Sequence, residues 1–246
     1  MRKIYIVLPA YNEEESIGTL LKRIADAMAD ARIDDYEVIV VNDGSADGTL
    51  GIVQEMGRSM PIDILTHQQN QGLGATIRDG LYEAAKKAAD KDIVVTMDAD
   101  DTHSPGLILR MIRMIREGHD VVIASRYRPG ARVIGLSMAR KLMSYGASWI
   151  FRILTPIHGV RDFTCGFRAY HATALKNAIA TYGDAFVDQE GFQCMVDILL
   201  KMRKMSLIFG EAPIILRYDY KRGASKMNVG KTVKNTLKLV VKRIFE

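Results

Sequence analysis

From Ile4 to Ser125 short apolar runs alternate with amphipathic stretches, and this alternation constrains the fold more than any other feature of the chain. Ile4 to Leu8, Glu37 to Val41, Ile62 to Thr66, Asp92 to Met97 and Asp120 to Ser125 read as strands. Glu13 to Ala31, Asp47 to Met60, Leu73 to Ala89 and Ser104 to Glu117 read as helices, the first with Ile17, Leu20, Leu21, Ile24 and Met28 on one face. Such regularity predicts an α/β fold, Rossmann-like, with a mostly parallel sheet flanked by helices, because each parallel strand needs a crossover before the next. Ligand-binding loops then belong at the carboxyl ends of the strands.

Beyond Ser125 the pattern loosens. Ile134 to Leu154 sets Met138, Leu142, Tyr145, Trp149 and Ile153 at helical spacing, a stripe expected to cover the core, with Arg140 and Ser144 one turn apart on another face. Phe192 to Met202 reads as helix and Ile208 to Leu216 as strand. From Val229 to Phe245, Val233, Leu237, Val240, Val241 and Ile244 fall on one side and Lys231, Lys234, Lys238 and Lys242 largely on the other, the pattern of a helix lying in a membrane interface or packed on the core. The expected organisation is a main domain over 1–228 and a basic amphipathic C-terminal helix over 229–246.

With 246 residues, 48% of them hydrophobic, the chain can bury a full core. Cys165 and Cys194 lack metal or redox spacing and read as ordinary thiols of a reduced, cytoplasmic compartment. The N-terminal run lacks a signal-peptide pattern, and no stretch reaches the ~20 apolar residues of a membrane span, so a soluble or peripheral protein is expected. The net charge of +5 is unevenly spread. No Asp or Glu falls between Asp120 and Asp162, where Arg126, Arg128, Arg132, Arg140, Lys141, Arg152 and Arg161 lie, and from Lys221 onward eight Lys or Arg face the single acid Glu246. These zones call for an anionic partner such as a phosphate or a lipid headgroup. They lack interleaved aromatic platforms and match no helix-turn-helix or RNA-binding signature, which argues against nucleic acid.

Four strand ends carry chemistry. The run Ile93 to Thr96 delivers Asp98 and Asp100, whose alternation puts both carboxylates on one side, where they can hold a divalent cation and so neutralise a diphosphate. Pro9-Ala10-Tyr11-Asn12-Glu13-Glu14 and Val41-Asn42-Asp43-Gly44 place Glu13 and Asp43 where a base or ribose hydroxyl can donate to them, although Asp43-Gly44 also reads as a plain turn. Asn70-Gln71-Gly72-Leu73-Gly74-Ala75 opens a helix whose amides can meet phosphate.

In their order and spacing PAYNEE, VNDGSADGT, NQGLGA and MDADDTHSP resemble the family-two inverting glycosyltransferases of GT-A fold. SRYRPG, ARKLMSYGA, DFTCGFRAY and RGASK are similar to the dolichyl-phosphate mannose synthase branch, and the resemblance covers Ile4 to Met227. It implies that Pro9, Tyr11, Glu13 and Asp43 cradle the nucleoside, that Asp98 and Ala99 lie by the ribose and diphosphate, and that Asp100 holds Mg²⁺ or Mn²⁺. It also implies acceptor-phosphate ligands at Arg126, Arg140 and Ser144, and a closing loop carrying Arg222, Ser225 and Lys226. Thr102 stands where many mannose synthases have Gln at the metal, leaving that ligand open to Thr102, Asp101 or His103; His103 otherwise reads as a helix-start residue. Ala224 stands where RGESK would have Glu.

The activity implied is transfer of a hexose, mannose from GDP-mannose foremost, onto a polyprenyl phosphate of dolichyl type, with UDP-glucose as the nearest alternative donor and a protein, glycan or small-molecule hydroxyl as the alternative acceptor. A nucleotide-sugar donor, a polyprenyl-phosphate acceptor and the cytoplasmic face of a membrane are the expected partners. Some relatives continue into membrane helices, so a membrane-anchoring subunit is a further expectation. An acceptor phosphate is already ionised near neutral pH and needs no general base, so the residues expected to act are Asp98, Asp100, Arg126, Arg222 and Lys226.

Overall fold

The computed structural model describes residues 2–220 together with Thr236, Lys238, Leu239, Val240 and Arg243, excepting the side chains at 139–141, 143, 147 and 220. Strands β1 (Ile4–Ala10), β2 (Tyr36–Asn42), β3 (Ile62–Thr66), β4 (Ile93–Thr96) and β5 (Val121–Ser125) alternate with helices α1 (Ile17–Asp30), α2 (Thr49–Met56), α3 (Leu73–Lys87) and α4 (Leu107–Arg116). All of these were legible as elements, with ends displaced by a few residues. β6 (Arg132–Ile134), α5 (Met138–Leu154), β7 (Arg168–His171), α6 (Ala172–Tyr182), α7 (Gln193–Met202), β8 (Phe209–Pro213) and β9 (Ile215–Arg217) follow.

The main sheet runs β3-β2-β1-β4-β7-β5-β8. All its strands are parallel except β7, which lies antiparallel between β4 and β5. The strand expected over Ile208 to Leu216 is two: β8 joins this sheet, and β9 pairs with β6 in a small second one. β4 and β5 are wholly buried, as strands covered on both faces must be, which is why they read as continuous apolar runs. α1 supplies Ile17, Leu20, Leu21, Ile24 and Met28 to the core, the face read from its spacing.

The strand order reverses at β1, which has β2 on one side and β4 on the other. A crevice forms at such a reversal, outside the carboxyl ends of the two strands. Here those ends are Pro9 to Tyr11 and Met97 to Asp100.

The stripe on α5 does not cover the core. Met138, Leu142, Tyr145, Trp149 and Ile153 are all exposed, Leu142 to 68% and Ile153 to 70%, while Ser148 and Phe151 face inward. The helix is turned by its polar contacts: Ser148 Oγ donates to the carbonyl of Arg161 at 2.6 Å, and the Tyr127 hydroxyl meets Ser144 Oγ at 2.6 Å.

Candidate active site

The loops after β1, β2 and β4 are knitted together by side chains. The amide of Asn12 donates to Ser45 Oγ at 3.0 Å, the amide of Ala46 to Asn12 Oδ1 at 2.8 Å, and the amide of Glu13 to Thr49 Oγ1 at 2.8 Å. Ser16 Oγ lies 2.9 Å from Glu13 Oε2 and 3.1 Å from the carbonyl oxygen of Ala99, so the Glu13 loop is pinned to the acidic loop. Pro9 is half-buried and Tyr11 is exposed at the rim. The fold thus brings the loops carrying Pro9, Tyr11, Glu13, Asp98, Ala99 and Asp100 together at the carboxyl ends of β1 and β4.

The sheet ends before the acidic pair. β4 stops at Thr96, Met97 still donates its amide to Val7 at 3.0 Å, and the chain then leaves the sheet. Burial keeps alternating beyond that point: Met97 and Ala99 are buried, whereas Asp98 and Asp100 are half-exposed and share the open side. Thr102, expected near a metal, secures Asp100: its hydroxyl donates to Asp100 Oδ1 at 2.7 Å and its amide donates to the same oxygen at 3.2 Å. Asp101 turns away into a left-handed conformation, φ 55°, and pairs with Arg23 at 2.5 Å. His103 does not start a helix; it is buried in the bend before α4, with Nδ1 4.0 Å from Asp98 Oδ2.

Asp43 is buried, and it organises the neighbouring loop. Oδ1 accepts from the Gln71 amide at 2.8 Å and meets His67 Nδ1 at 2.7 Å; Oδ2 accepts from the Gly72 amide at 2.9 Å. Of the amides at the start of α3, that of Gly74 donates to the Glu190 carbonyl at 2.8 Å. A Cβ on Gly74 would lie 1.8 Å from the Gln189 carbonyl oxygen, so glycine here permits a close approach of two backbones.

Arg126, expected to hold an acceptor phosphate, has its fork closed on the carboxylate of Asp162 in this structure. Nε and Nη2 donate to Asp162 at 2.8 and 2.7 Å, and Nη2 also donates to Thr164 Oγ1. Burial alone would lower the Arg126 pKa, but the Asp162 charge and hydrogen bonds hold it well above its ordinary value. Arg126 is followed by Tyr127, whose hydroxyl reaches Ser144 on α5; the side chain of Arg140 lies outside the described residues.

Arg222, Ser225 and Lys226 also lie outside the described residues, but their approach does not. The Arg217 amide donates to the Thr102 carbonyl at 3.0 Å, so β9 is tied to the acidic loop immediately before the short 3₁₀ turn Tyr218–Tyr220. Tyr218 was not singled out from the sequence. Burial raises its hydroxyl pKa, Arg126 opposes the rise, and Asp98 and Asp100 add to it, so it feels the charge of both the basic and the acidic groups. Nothing in the spacing of Tyr218 distinguishes it from a core tyrosine.

No three His, Cys, Asp or Glu side chains among the described residues are grouped as a ready cation cage. The residues nonetheless fit a divalent cation that arrives with a diphosphate: two half-exposed carboxylates share one side, and a buried imidazole nitrogen beside them has no hydrogen-bond partner among the described residues. The cysteines take no part, since burial pushes both thiols up to about 12.

The chain is 32% identical over 232 residues to a dolichol-phosphate mannosyltransferase of Pyrococcus furiosus, a match covering 94% of this chain and 60% of that protein's length. It is 30% identical to an undecaprenyl-phosphate mannosyltransferase of Micrococcus luteus, covering 93% of this chain and 88% of the relative. Among solved structures, glucosyl-3-phosphoglycerate synthase of Mycobacterium tuberculosis, crystallised with Mn²⁺, UDP and glucosyl-3-phosphoglycerate, superposes with a TM-score of 0.70 at 20% identity, over 99% of this chain and 80% of that one. That likeness establishes the GT-A fold. The family model for glycosyl transferase family 2 matches residues 5–178, from β1 through the acidic loop into α6, and on these grounds the chain belongs to glycosyl transferase family 2.

Proposed function

We propose that this chain is a polyprenyl-phosphate hexosyltransferase working at a membrane surface, with GDP-mannose as its donor and a divalent cation at the diphosphate. The observation that carries the lipid acceptor is the exposed face of α5. It displays seven large apolar side chains, Met138, Leu142, Tyr145, Trp149, Ile150, Ile153 and Leu154, on a helix with three cations and no acid, and its inner side touches the segment leading to the site. Phe151 packs on Phe163 with ring centroids 5.7 Å apart, and Arg152 stacks over Trp149 at 4.8 Å. An apolar stripe with Trp, Tyr and flanking Arg is suited to the boundary between headgroups and acyl chains. This face, rather than the tail, is the membrane-binding surface in our reading. The mannose assignment follows the names of the relatives.

The crevice between β1 and β4 receives the donor. Pro9, Tyr11 and Glu13 line the nucleoside side, and Asp43 shapes that side by fixing the Gln71-Gly72 turn. Asp98 and Asp100 hold the cation, Mg²⁺ or Mn²⁺, which when bound supplies positive charge to the departing nucleoside diphosphate. Thr102 keeps Asp100 aimed. An ionised acceptor-phosphate oxygen forms the new bond to the anomeric carbon from the face opposite the diphosphate, whose bond to that carbon breaks, so the configuration inverts and no proton is moved. Arg140 and Ser144 on α5 bring the acceptor phosphate to the site, Arg126 supports them through its pair with Asp162, and Arg222 and Lys226 close over the diphosphate. Any membrane-anchoring partner would meet the same α5 side.

The test is incubation with Mn²⁺, a panel of nucleotide sugars and a short-chain polyprenyl phosphate, with mass spectrometry of the lipid product. A mannosyl-phosphoprenol formed from GDP-mannose is expected. A glucosyl product from UDP-glucose would change the donor, and transfer only to hydroxyl acceptors would overturn the reading.

A further inference from the structure

His103 is the only imidazole whose Nδ1 is buried without a hydrogen-bond partner among the described residues, and it sits beside the acidic pair. Its side chain is 5% exposed, and its ring packs against Phe167 with centroids 5.2 Å apart and planes tilted by 44°. Buried polar nitrogens are nearly always satisfied, so one that is not calls for a reason. The nearest charged oxygen is Asp98 Oδ2, at 4.0 Å: too long for a hydrogen bond, yet within a small side-chain rotation of one.

The segment before β7 shapes both groups. A Cβ on Gly166 would lie 3.1 Å from Asp98 Oδ1, so glycine leaves room for that carboxylate, and Phe167, the next residue, carries the His103 ring. The Gly166 carbonyl is held by Thr96 Oγ1, which donates to it at 2.6 Å from the end of β4. The segment entering the reversed strand thus places a floor under Asp98 and a wall behind His103.

We propose that His103 is the positioning residue for Asp98: once the donor diphosphate and its cation are seated, the Nδ1–H of His103 donates to Asp98 and fixes the carboxylate on the cation side. This deepens the donor-site reading and rests on it. Hydrogen bonds at such sites are often long in the unliganded protein and tighten in the complex. Thr102 does the same for Asp100, so each acidic side chain has its own donor drawn from the three-residue run after the pair.

The experiment compares His103→Leu, which keeps apolar packing on Phe167 but has no donor, with His103→Asn, whose amide nitrogen falls near the position of Nδ1. Mn²⁺ binding with GDP is followed by loss of the free-ion EPR signal, and thermal melting is recorded alongside. The Leu variant is expected to bind Mn²⁺ about 10- to 100-fold more weakly. The Asn variant should stay within about threefold of wild type, since a side-chain amide supplies the same kind of donor. Equal losses in both variants, or none in either, would overturn the proposal. Should the Leu variant not fold, ¹⁵N-labelled wild-type protein with Mg²⁺ and GDP gives an independent answer. A protonated, exchange-protected Nδ1 on His103 that is lost in Asp98→Asn supports the proposal, and an unprotonated Nδ1 refutes it. Failure of the wild-type protein to bind Mn²⁺ with GDP or UDP would instead refute the donor-site reading.

Discussion

Arg126 and Asp162 meet in two parallel charge-assisted hydrogen bonds, Nε to Oδ2 at 2.8 Å and Nη2 to Oδ1 at 2.7 Å, and the Arg126 amide adds a third contact at 3.0 Å. Asp162 has no solvent exposure. Replacing it by Asn leaves a guanidinium without its counter-charge, and breaking a buried pair in this way costs about 3–5 kcal/mol. Chemical denaturation of Asp162→Asn at neutral pH should show a loss of that size. A loss no larger than that of an exposed substitution would mean that the pair is not buried as described.

The same pair sets an acid limb. Burial would raise the Asp162 pKa, but Arg126 holds it below the ordinary value. A carboxylate depressed in the fold contributes stability that is fully present above its unfolded value, near ~3.9, and is lost as pH falls through the folded one. Glu211 accepts from the amides of Arg161 and Asp162 at 2.6 and 2.7 Å and has the opposite sign: burial raises its pKa, so its contribution is fully present below its unfolded value, near ~4.3, and declines as pH rises through the folded one. Denaturation across about pH 3–7 should therefore show a steeper acid loss in wild type than in Asp162→Asn.

At the acidic pair, Asp100→Asn preserves size and removes the charge a cation needs. Transfer should fall by about three orders of magnitude, and nucleotide binding should weaken only when Mg²⁺ or Mn²⁺ is present. Calorimetry with and without the cation checks this. An Asn variant retaining metal-dependent activity would remove Asp100 from the site.

The strand and helix pattern of the first half was legible because parallel strands buried on both faces leave continuous apolar runs, and α1 leaves a clean stripe. β7 was not. Arg168-Ala169-Tyr170-His171 has no apolar alternation, because its arginine is buried by donating to the carbonyls of Cys165 and Phe163 rather than by facing solvent. The crevice residues could be placed from strand ends alone. The α5 stripe misled, since spacing shows that a helix has an apolar face but not which way that face points. The partner of Arg126, 36 residues away in Asp162, was likewise not legible, because nothing in the spacing of the two residues ties them together.

Gly74 joins the start of α3 to the Gln189-Glu190 segment. In Gly74→Ala the new methyl would overlap the Gln189 carbonyl oxygen, and relief requires the two backbones to part. Overpacking of this kind costs about 1–3 kcal/mol. The parting would disturb the turn that Asp43 fixes, so the donor KM should rise while the acceptor KM stays within about twofold. Steady-state kinetics with each substrate varied in turn decide this, and equal rises in both would assign Gly74 to folding alone.

On α5, Leu142→Glu and Ile153→Glu put charge on exposed positions, so melting temperatures should hardly move. Binding to vesicles rich in anionic lipid should drop steeply. Each cation near such a surface contributes about 1 kcal/mol, so wild-type binding should also weaken as salt is added. Co-sedimentation at low and high salt is the measurement. Unchanged binding in both variants would move the membrane surface elsewhere.

The tail supplies the contrasting case. Its described residues Thr236, Leu239 and Val240 are buried, Lys238 is exposed, and Arg243 donates to Asp197 at 2.7 and 3.1 Å; Val233, Leu237, Val241 and Ile244, the rest of the expected stripe, lie outside the described residues. Asp197 also pairs with Lys201 at 2.5 Å, and Lys201 reaches Asp188 at 3.0 Å, directly before the segment that contacts Gly74. Arg243→Ala leaves Asp197 with Lys201 as its remaining cation, so the expected cost is about 1–3 kcal/mol, the range for a lost hydrogen bond to a charged group. A chain ending at Asn228 also uncovers the surface under Val240, and should lose more stability than Arg243→Ala while keeping its vesicle binding through α5. Denaturation and co-sedimentation of both variants separate the roles: a shortened chain that stays stable but no longer sediments with vesicles would return the membrane interface to the tail.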